Sequence, residues 1–99
     1  MNSIINLNGK KGVILGIANE RSIAWGIAEN LRKFGADLAF SFVNESIKKR
    51  VIPLASKCDS DLVFECDACS DKSIDNFFKE IEEKWGTFDF LVHSIAFSD

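Results

Sequence analysis

The chain has 99 residues, of which 46% are hydrophobic and 27% charged, which is enough for one hydrophobic core and too little for two. Its net charge of −3 and its pI of about 5.1 argue against nucleic acid as the main partner, because phosphate binding leaves a basic footprint. No stretch approaches ~18 apolar residues, and the N-terminus lacks a secretory signal, so we expect a cytoplasmic protein with no membrane partner.

Cysteine and tyrosine usage narrow the chemistry. Cys58, Cys66 and Cys69 cannot all pair within one chain, and a reducing compartment keeps them as thiols. Cys66 and Cys69 have the spacing of half a zinc site, but no second pair of ligands exists, so we predict no metal. The chain has nine Phe, two Trp and no Tyr, so a mechanism that needs tyrosine must find it elsewhere.

A buried strand and a helix open the predicted fold. Residues 11–17 form a short apolar run bounded by glycines, which is typical of a strand buried on both faces of a parallel sheet. From Ser22 the apolar period becomes helical, and Gly35 stands where a helix C-terminus usually places glycine. The predicted core face of this helix consists of Ile23, Ile27, Leu31 and Phe34.

A second strand and helix follow. Residues 37–43 read as a strand, and Asn44 or Ser46 is expected to cap the next helix. Pro53 lies inside this helix and removes a hydrogen bond at a cost of roughly 3 kcal/mol, so we expect a kink or a break there. The apolar face of the helix consists of Ile47, Val51, Leu54 and Ala55.

The clearest helix of the chain lies between two further strands, residues 62–66 and 88–97. Ser70 and Asp71 offer caps for it, and Gly86 ends it. We expect His93, the only histidine, to be packed and hydrogen-bonded in the last strand. The helix carries an apolar stripe of Ile74, Phe77, Phe78, Ile81 and Trp85.

The alternation βαβαβαβ predicts an α/β fold, a Rossmann-like doubly wound parallel sheet. We expect residues 1–99 to be the N-terminal part of a single dinucleotide-binding domain whose remainder is absent from this chain. In such sheets the ligand lies beyond the carboxyl ends of the strands, where the strand order reverses.

The segment after the first strand has the pattern G-x5-S-x3-G. Gly16 permits a tight exit from the strand, Ser22 opens the helix, and Gly26 is expected to let helix and sheet approach closely. Backbone N–H groups at the helix start favour a pyrophosphate. By spacing alone, a turn glycine and a capping serine remain the simpler explanation.

Two segments carry a specific resemblance. SIAWGIA at residues 22–28 and LVHSIAF at residues 91–97 resemble the NADH-dependent enoyl-acyl-carrier-protein reductases, a branch of the short-chain dehydrogenase/reductase superfamily. The resemblance runs from about Leu7 to Ser98. It implies an oxidoreductase of fatty acid biosynthesis that reduces the trans-2 double bond of enoyl thioesters on acyl carrier protein by hydride transfer from NADH.

The resemblance also implies site residues. Asp67 would accept a hydrogen bond from the adenine amino group, with the backbone of Ala68 beside it. Ser98 would border the acyl-substrate pocket. The pyrophosphate and nearby ribose would be lined by Gly16, Ala18, Ser22 and Ile23, and the nicotinamide side by Ser94, Ile95 and Ala96.

The end of the second strand departs from the family pattern. Val43 stands where several relatives have a glutamine that touches the adenosine, and valine cannot make that hydrogen bond. The usual acidic ribose anchor is missing as well, and no arginine lies immediately beside Val43, so cofactor choice rests on the resemblance alone: NADH, with NADPH less favoured. Lys48, Lys49 and Arg50 are better explained as a solvated helix face.

The catalytic residues of the family fall outside this sequence. The resemblance implies a tyrosine donor in a Tyr-x6-Tyr-x6-Lys pattern further along, so this chain holds no catalytic residue and should be inactive alone. Acyl carrier protein and a homotetramer are the implied partners. Two alternatives stay open: another short-chain reductase such as a 3-oxoacyl-carrier-protein reductase, or a non-catalytic nucleotide-binding module.

Overall fold

The computed structural model describes residues 7–17, 23–67 and 69–93. Strands and helices alternate in this part of the chain, which confirms the predicted α/β class. In chain order they are β1 (Lys11–Leu15), α1 (Ile23–Lys33), β2 (Asp37–Phe42), α2 (Glu45–Lys57), β3 (Val63–Glu65), α3 (Asp71–Trp85) and β4 (Phe90–His93). Within the described ranges, no helix combines the length and the apolar character needed to cross a bilayer.

The strands form one parallel sheet in the order β3-β2-β1-β4. The chain starts at β1, moves outward through β2 to β3, and then returns to the opposite side of β1. The strand order therefore reverses between β1 and β4, and this is the topological switch point of a doubly wound fold. The predicted Rossmann-like arrangement is confirmed.

Helices cover both faces of the sheet. On one face α1 and α2 pack around Ile14 and Phe40. On the other face α3 places Phe77 against Val13 and Ala39. Successive side chains of a strand point to opposite faces of the sheet. Ile14 therefore packs in the core on the α1 and α2 face, Val13 packs in the core on the α3 face, and β1 is buried on both sides.

The face of α1 that packs on the sheet differs from the predicted one. Ala24, Trp25 and Ala28 are buried, whereas Ile23 is 77% exposed and Ile27 is 39% exposed. The prediction followed the large aliphatic residues. The buried face consists of Ala24, Trp25 and Ala28 instead, and of the predicted face Leu31 packs against the core.

Gly26 does not have its predicted role in close packing. The residue is exposed, and a Cβ added at this position would meet no atom within 4 Å. Its carbonyl accepts a hydrogen bond from the side-chain amide of Asn30 at 3.1 Å. The small residues on the buried face of the helix are Ala24 and Ala28, both fully buried.

A kink or a break was expected at Pro53, and the structure excludes the break, because α2 continues through Pro53. Proline deprives the carbonyl of Lys49 of its helical partner. Lys49 and Pro53 both lie on the exposed side, where water can bond to that carbonyl. The cap is confirmed, since Asn44 Oδ1 accepts the Ile47 N–H at 2.9 Å. The buried face is also as predicted, with Val51, Leu54 and Ala55.

The α3 helix matches its prediction at both ends and along its stripe. Ser70 Oγ accepts the Ser73 N–H at 3.2 Å, which caps the start of the helix. Gly86 ends it with a φ of 81° and donates its N–H to the Glu82 carbonyl at 2.7 Å. Phe77 is buried on the predicted stripe.

The last strand begins two residues later than predicted, its predicted part after His93 lies outside the described residues, and its described part is more exposed than predicted. β4 pairs only with β1 among the described strands, and its residues alternate between half-buried and exposed. His93 is exposed, so the prediction of a packed histidine is wrong in this structure. The side chain lies at the edge of the described sheet, where the strand has a neighbour on one side only.

Candidate cofactor-binding site

The carboxyl ends of β1 and β2 lie side by side. The parallel ladder pairs Ile14 with Phe40, and the same register continued past the strands sets Ile17 level with Val43. Gly16 therefore leaves β1 next to the end of β2. The predicted pyrophosphate residue Gly16 and the predicted adenosine residue Val43 are thus brought to one edge of the sheet.

The loop after β3 reaches the same edge. Phe42 of β2 pairs with Glu65 of β3, so the register sets Asp67 level with Asn44. Asp67 thus follows its strand on the side of the sheet where ligands bind in doubly wound folds. Asp67, the predicted contact to adenine, and Val43 therefore lie close to each other, at the ends of the adjacent strands β3 and β2. Ala68, the other predicted adenine contact, lies outside the described residues.

The opposite side of β1 is bordered by β4. Leu15 pairs with His93, which is the last described residue of the chain. The nicotinamide and substrate residues implied by the resemblance come directly after it and lie outside the described residues. They are Ser94, Ile95, Ala96 and Ser98.

Gly16 has the backbone conformation that the predicted turn requires. Its φ is 94°, in the left-handed region where a residue with a Cβ costs about 1–2 kcal/mol. Ile17 after it is buried and anchors the turn against the core. Ala18 and Ser22, the next two predicted residues, lie outside the described ranges.

The first turn of α1 is electrostatically different from those of the other described helices. α2 carries Glu45 in its first turn and α3 carries Asp71, whereas the first turn of α1, as described from Ile23, carries no acidic residue. The N-terminal end of a helix has a partial positive charge, and an acidic side chain there cancels it. Of these three helix starts, the one at the switch point keeps its attraction for an anion.

Hydrogen bonds fix the position of Asp67. Its Oδ1 accepts the Cys69 N–H at 2.9 Å, and its carbonyl accepts the Ser70 N–H at 2.9 Å. Its own N–H donates to Ser73 Oγ at 2.8 Å. The second carboxylate oxygen can still accept from a donor such as the amino group of adenine. Asp67 therefore fits the role that the resemblance implies.

The thiol beside Asp67 stays protonated at neutral pH. Burial raises the pKa of Cys66, and the negative charge of Asp67 raises it further. A neutral thiol adds no charge next to the carboxylate. Among the described residues, no three His, Cys, Asp or Glu side chains come together in a way that could hold a metal ion.

Two apolar side chains near this edge are exposed. Ile23 at the start of α1 is 77% exposed, and Val43 at the end of β2 is 46% exposed. Valine offers only van der Waals contact, so it could flank a sugar or an adenine ring but could not hydrogen-bond to either. This agrees with the departure from the family pattern noted in the sequence.

Glu45 is a charged residue at this edge that the sequence interpretation missed. It is the first residue of α2, directly after the Asn44 cap, and its side chain is 78% exposed. The usual fingerprint predicts an acidic ribose anchor at the end of the strand itself, where this chain has Val43. An acid two positions after Val43, behind a capping asparagine, was the available signal.

A cleft of about 530 Å³ lies outside the edge strand β3, between α2 and α3. Its lining includes Phe42, Lys48, Phe64 and Asn76. Of the predicted site residues it contains only Asp67, and it lies on the far side of β2 from the switch point. The cleft therefore adjoins the cofactor edge at Asp67 and extends away from the switch point.

Known proteins are similar to this chain in sequence and in fold. The family model described as Enoyl-(Acyl carrier protein) reductase matches residues 16–99. The enoyl-[acyl-carrier-protein] reductase [NADH] FabI of Rickettsia bellii is 53% identical over 94% of this chain and 36% of its own length. Enoyl-[acyl-carrier-protein] reductase [NADH] 1 of Rhizobium meliloti is 50% identical over 94% of the chain and 34% of its own length.

Solved structures agree. FabI from Candidatus Liberibacter asiaticus superposes with a TM-score of 0.92 at 55% identity, over 97% of this chain and 38% of that one. The reductase of Anaplasma phagocytophilum, solved in complex with NAD, has a TM-score of 0.88 at 48% identity, over 94% of this chain and 36% of that one.

The chain spans about a third of the length of the curated relatives that it matches, at 36% and 34% for two of them. The match of 94% of the chain leaves little of it unaccounted for. On sequence and structure alike, the chain belongs to the enoyl-(acyl-carrier-protein) reductase family.

Proposed function

We propose that the full-length protein is an NADH-dependent enoyl-acyl-carrier-protein reductase, and that residues 1–99 are the N-terminal, cofactor-binding part of its single dinucleotide-binding domain. The observation that carries the proposal is the meeting of Gly16, the acid-free first turn of α1 and Asp67 at one edge of the sheet. The relatives at about 50% identity are named as NADH-dependent enoyl reductases.

The cofactor binds across the carboxyl ends of the strands. Its pyrophosphate lies over the turn at Gly16, where the start of α1 attracts an anion. Asp67 accepts from the adenine amino group while Val43 contacts the adenosine without a hydrogen bond. The remaining contacts come from Ala18, Ser22, Ile23, Ala68, Ser94, Ile95 and Ala96, and Ser98 borders the acyl substrate.

NADH supplies the hydride, which adds to the β-carbon of the trans-2-enoyl thioester. Negative charge then develops on the thioester carbonyl oxygen and needs a hydrogen-bond donor. This chain contains no tyrosine, so the donor and its lysine partner come from the part of the full-length protein beyond these residues. The task of residues 1–99 is to bind and orient the cofactor.

Family membership also supports proposals on the compartment, the protein partner and the oligomeric state of the full-length protein. The protein acts in the cytoplasm on substrates carried by acyl carrier protein, and it works as a homotetramer with no nucleic-acid or membrane partner. The net charge of −3 and the acidic pI of about 5.1 agree with small-molecule and protein partners rather than nucleic acid.

Enzyme assays and a binding titration test the proposal. We expect the full-length protein to oxidise NADH with crotonyl thioester and not to oxidise NADPH with acetoacetyl thioester. Turnover of acetoacetyl thioester instead would identify another short-chain reductase. Calorimetric titration with NADH and NADPH is the decisive measurement, because a protein that binds neither cofactor lacks the proposed function altogether.

A variant pair links the function to the site. Asp67→Ala should weaken NADH binding about 10-fold, because it removes a hydrogen bond from a charged acceptor. Asp75→Ala is the matched control, an exposed acid within α3 that lies outside the proposed site. Equal NADH affinity in the two variants would remove Asp67 from the cofactor site.

A further inference from the structure

Two cysteines flank Asp67, the residue that fits the adenine contact. Cys66 directly precedes it and donates its N–H to the Phe42 carbonyl at 2.8 Å, and Cys69 follows two positions after it. Cys66 is half-buried and packs at the margin of the core on the α3 face, whereas Cys69 is exposed and lies directly before the Ser70 cap of α3. The C-x2-C spacing is that of dithiol redox pairs.

Three hydrogen bonds hold the segment between the cysteines in its present shape. Asp67 Oδ1 accepts the Cys69 N–H at 2.9 Å, and the Asp67 carbonyl accepts the Ser70 N–H at 2.9 Å. The Asp67 N–H donates to Ser73 Oγ at 2.8 Å. All three bonds involve Asp67, so a change in the path of the chain between Cys66 and Cys69 moves this carboxylate.

A bond between the two sulfurs requires such a change. The hydrogen bond between Asp67 and Ser70 closes a four-residue turn, and the Cα atoms at the ends of such a turn lie less than about 7 Å apart. A disulfide needs the same short distance between the Cα atoms of its cysteines. Cys66 and Cys69 each lie one residue before an end of this turn. To bridge them, the chain would have to turn one residue earlier, and Asp67 would pass from the first position of the turn to the second.

We infer that Cys66 and Cys69 form a reversible disulfide that lowers the affinity of the enzyme for NADH. The inference rests on the proposed NADH-dependent function and adds to it a redox control of cofactor binding. Cytoplasmic disulfides are usually transient and redox-sensing, so the dithiol is the resting form. In the dithiol form Asp67 is positioned for adenine, and in the disulfide form it is displaced.

The oxidant is a low-molecular-weight disulfide. The thiolate of the exposed Cys69 attacks one sulfur of this disulfide, which forms a mixed disulfide and releases one thiolate. The Cys66 thiolate then attacks the Cys69 sulfur, which closes the protein disulfide and releases the second thiolate. The two released thiolates take up the two protons that the cysteines lose. Two protein thiols are thus oxidised while one small disulfide is reduced to two thiols.

The test measures NADH binding by the full-length protein in both redox states. Wild type is equilibrated with mixtures of reduced and oxidised glutathione, and peptide mapping by mass spectrometry identifies the linked cysteines and any glutathione adduct. We expect the dissociation constant for NADH to be about 10-fold higher in the disulfide form, the effect also expected for Asp67→Ala. By linkage, saturating NADH favours the dithiol by the same factor and raises the reduction potential of the pair by about 30 mV.

Three variants assign the effect to this pair and to Asp67. Cys69→Ser has no pair to close, so glutathione disulfide should leave its NADH affinity within about 2-fold of its own reduced value. Cys58→Ala is the matched control, because it removes a cysteine and retains the pair, and it should respond as wild type does. Asp67→Ala should form the disulfide without a further loss of affinity, because the two changes act through the same contact.

The outcomes separate the inference from the proposed function. If reduced wild type binds NADH and no disulfide between Cys66 and Cys69 forms at any glutathione ratio, the proposed function stands and the inference is wrong. A disulfide that leaves NADH affinity unchanged, that lowers it equally in Asp67→Ala, or that unfolds the protein in a thermal scan also overturns the inference. If reduced wild type binds neither NADH nor NADPH, the proposed function fails, and the inference fails with it.

Discussion

Gly12 of β1 and Phe90 of β4 are partners in the parallel ladder, and the Phe90 ring occupies the space in which a side chain at position 12 would lie. Gly12 does not have a positive φ, so the close approach of the ring is what requires glycine here. The ring also packs against the core on the α1 and α2 face. This contact joins the two strands between which the strand order reverses.

Replacing Gly12 should therefore destabilise the protein. Gly12→Ala forces the Phe90 ring to move, and overpacking of this kind costs about 1–3 kcal/mol of unfolding free energy. Gly26→Ala is the matched control, because nothing lies within 4 Å of its added Cβ and it sits inside α1. It should stabilise the protein by roughly 0.5–1 kcal/mol. Urea unfolding of both full-length variants measures the two changes in unfolding free energy, which should have opposite signs. Equal changes in the two variants would contradict the prediction.

A second prediction concerns the support of Asp67 by Ser73. Ser73 Oγ accepts the Asp67 N–H at 2.8 Å and so ties the loop after β3 to the start of α3. Ser73→Ala leaves that N–H without its partner, and the net loss of such a bond is about 1 kcal/mol. A free-energy loss of about 1 kcal/mol corresponds to an increase of about 5-fold in the dissociation constant for NADH, and we expect an increase of this size.

Ser56→Ala makes the same substitution on an exposed position of α2 and should leave NADH affinity unchanged. Ser73→Thr retains the hydroxyl and should restore most of the affinity. If Ser73→Ala binds NADH as tightly as Ser56→Ala does, the hydrogen bond from Ser73 does not position Asp67 for contact with adenine.

Local signals in the sequence were sufficient for the order and the type of the elements. The helical period of Phe77 and Ile81, and the caps at Asn44 and Ser70, depend on residues within a few positions of one another. The βαβ alternation was sufficient to predict a parallel, doubly wound sheet. Gly16 was correctly singled out, because a positive φ directly after a strand is a backbone requirement that glycine meets most easily.

Features that depend on tertiary contacts were not predicted from the sequence. The core face of α1 contains Ala24, Trp25 and Ala28 and not Ile23 or Ile27, and the period of the large aliphatic residues does not reveal this choice. Pro53 was expected to kink or break α2, but the helix is continuous, and the carbonyl that Pro53 leaves unpaired belongs to an exposed residue. Glu45 was overlooked because its relevance comes from the position of the α2 start at the cofactor edge.

Arg32 gives a third prediction, at the edge of the sheet opposite the cofactor site. Its Nη1 donates to the Ala36 carbonyl at 3.0 Å and approaches Asp37 Oδ1 at 3.4 Å, while its Nη2 lies 3.2 Å from Asp59 Oδ2. The guanidinium thus joins the end of α1 to the start of β2 and the end of α2. Lysine carries the same charge but cannot bridge three acceptors with fixed geometry.

Arg32→Lys should therefore lower the unfolding free energy by about 1 kcal/mol, the net value of a lost hydrogen bond, while NADH affinity stays unchanged. Lys33→Ala, at the exposed neighbouring position, should change stability by less than about 0.5 kcal/mol. Thermal unfolding and NADH titration of both variants supply the measurements. If Arg32→Lys were as stable as wild type, the contacts of the Arg32 guanidinium would not contribute to the unfolding free energy.

Cysteine reactivity provides a pH-dependent prediction. Burial raises the pKa of Cys58 above the ordinary value of 9.0, with Glu29 and Asp59 adding to the increase and Arg32 opposing it. Burial likewise raises the pKa of Cys66. The thiolate is the reactive form, so both residues should alkylate slowly below pH 9 in the folded protein, whereas the exposed Cys69 should react first.

The sign of the associated stability change follows from proton binding. Above pH 9 a thiol in the unfolded chain loses its proton before the buried thiol does, so the unfolded state binds fewer protons and stability falls as pH rises. Iodoacetamide labelling of the full-length protein between pH 7 and 10, read by mass spectrometry, should give apparent midpoints above 9.0 for Cys58 and Cys66. In denaturant the three thiols should react alike. If folded Cys58 reacts at pH 8 as fast as Cys69 does, its burial does not hold the proton on the thiol.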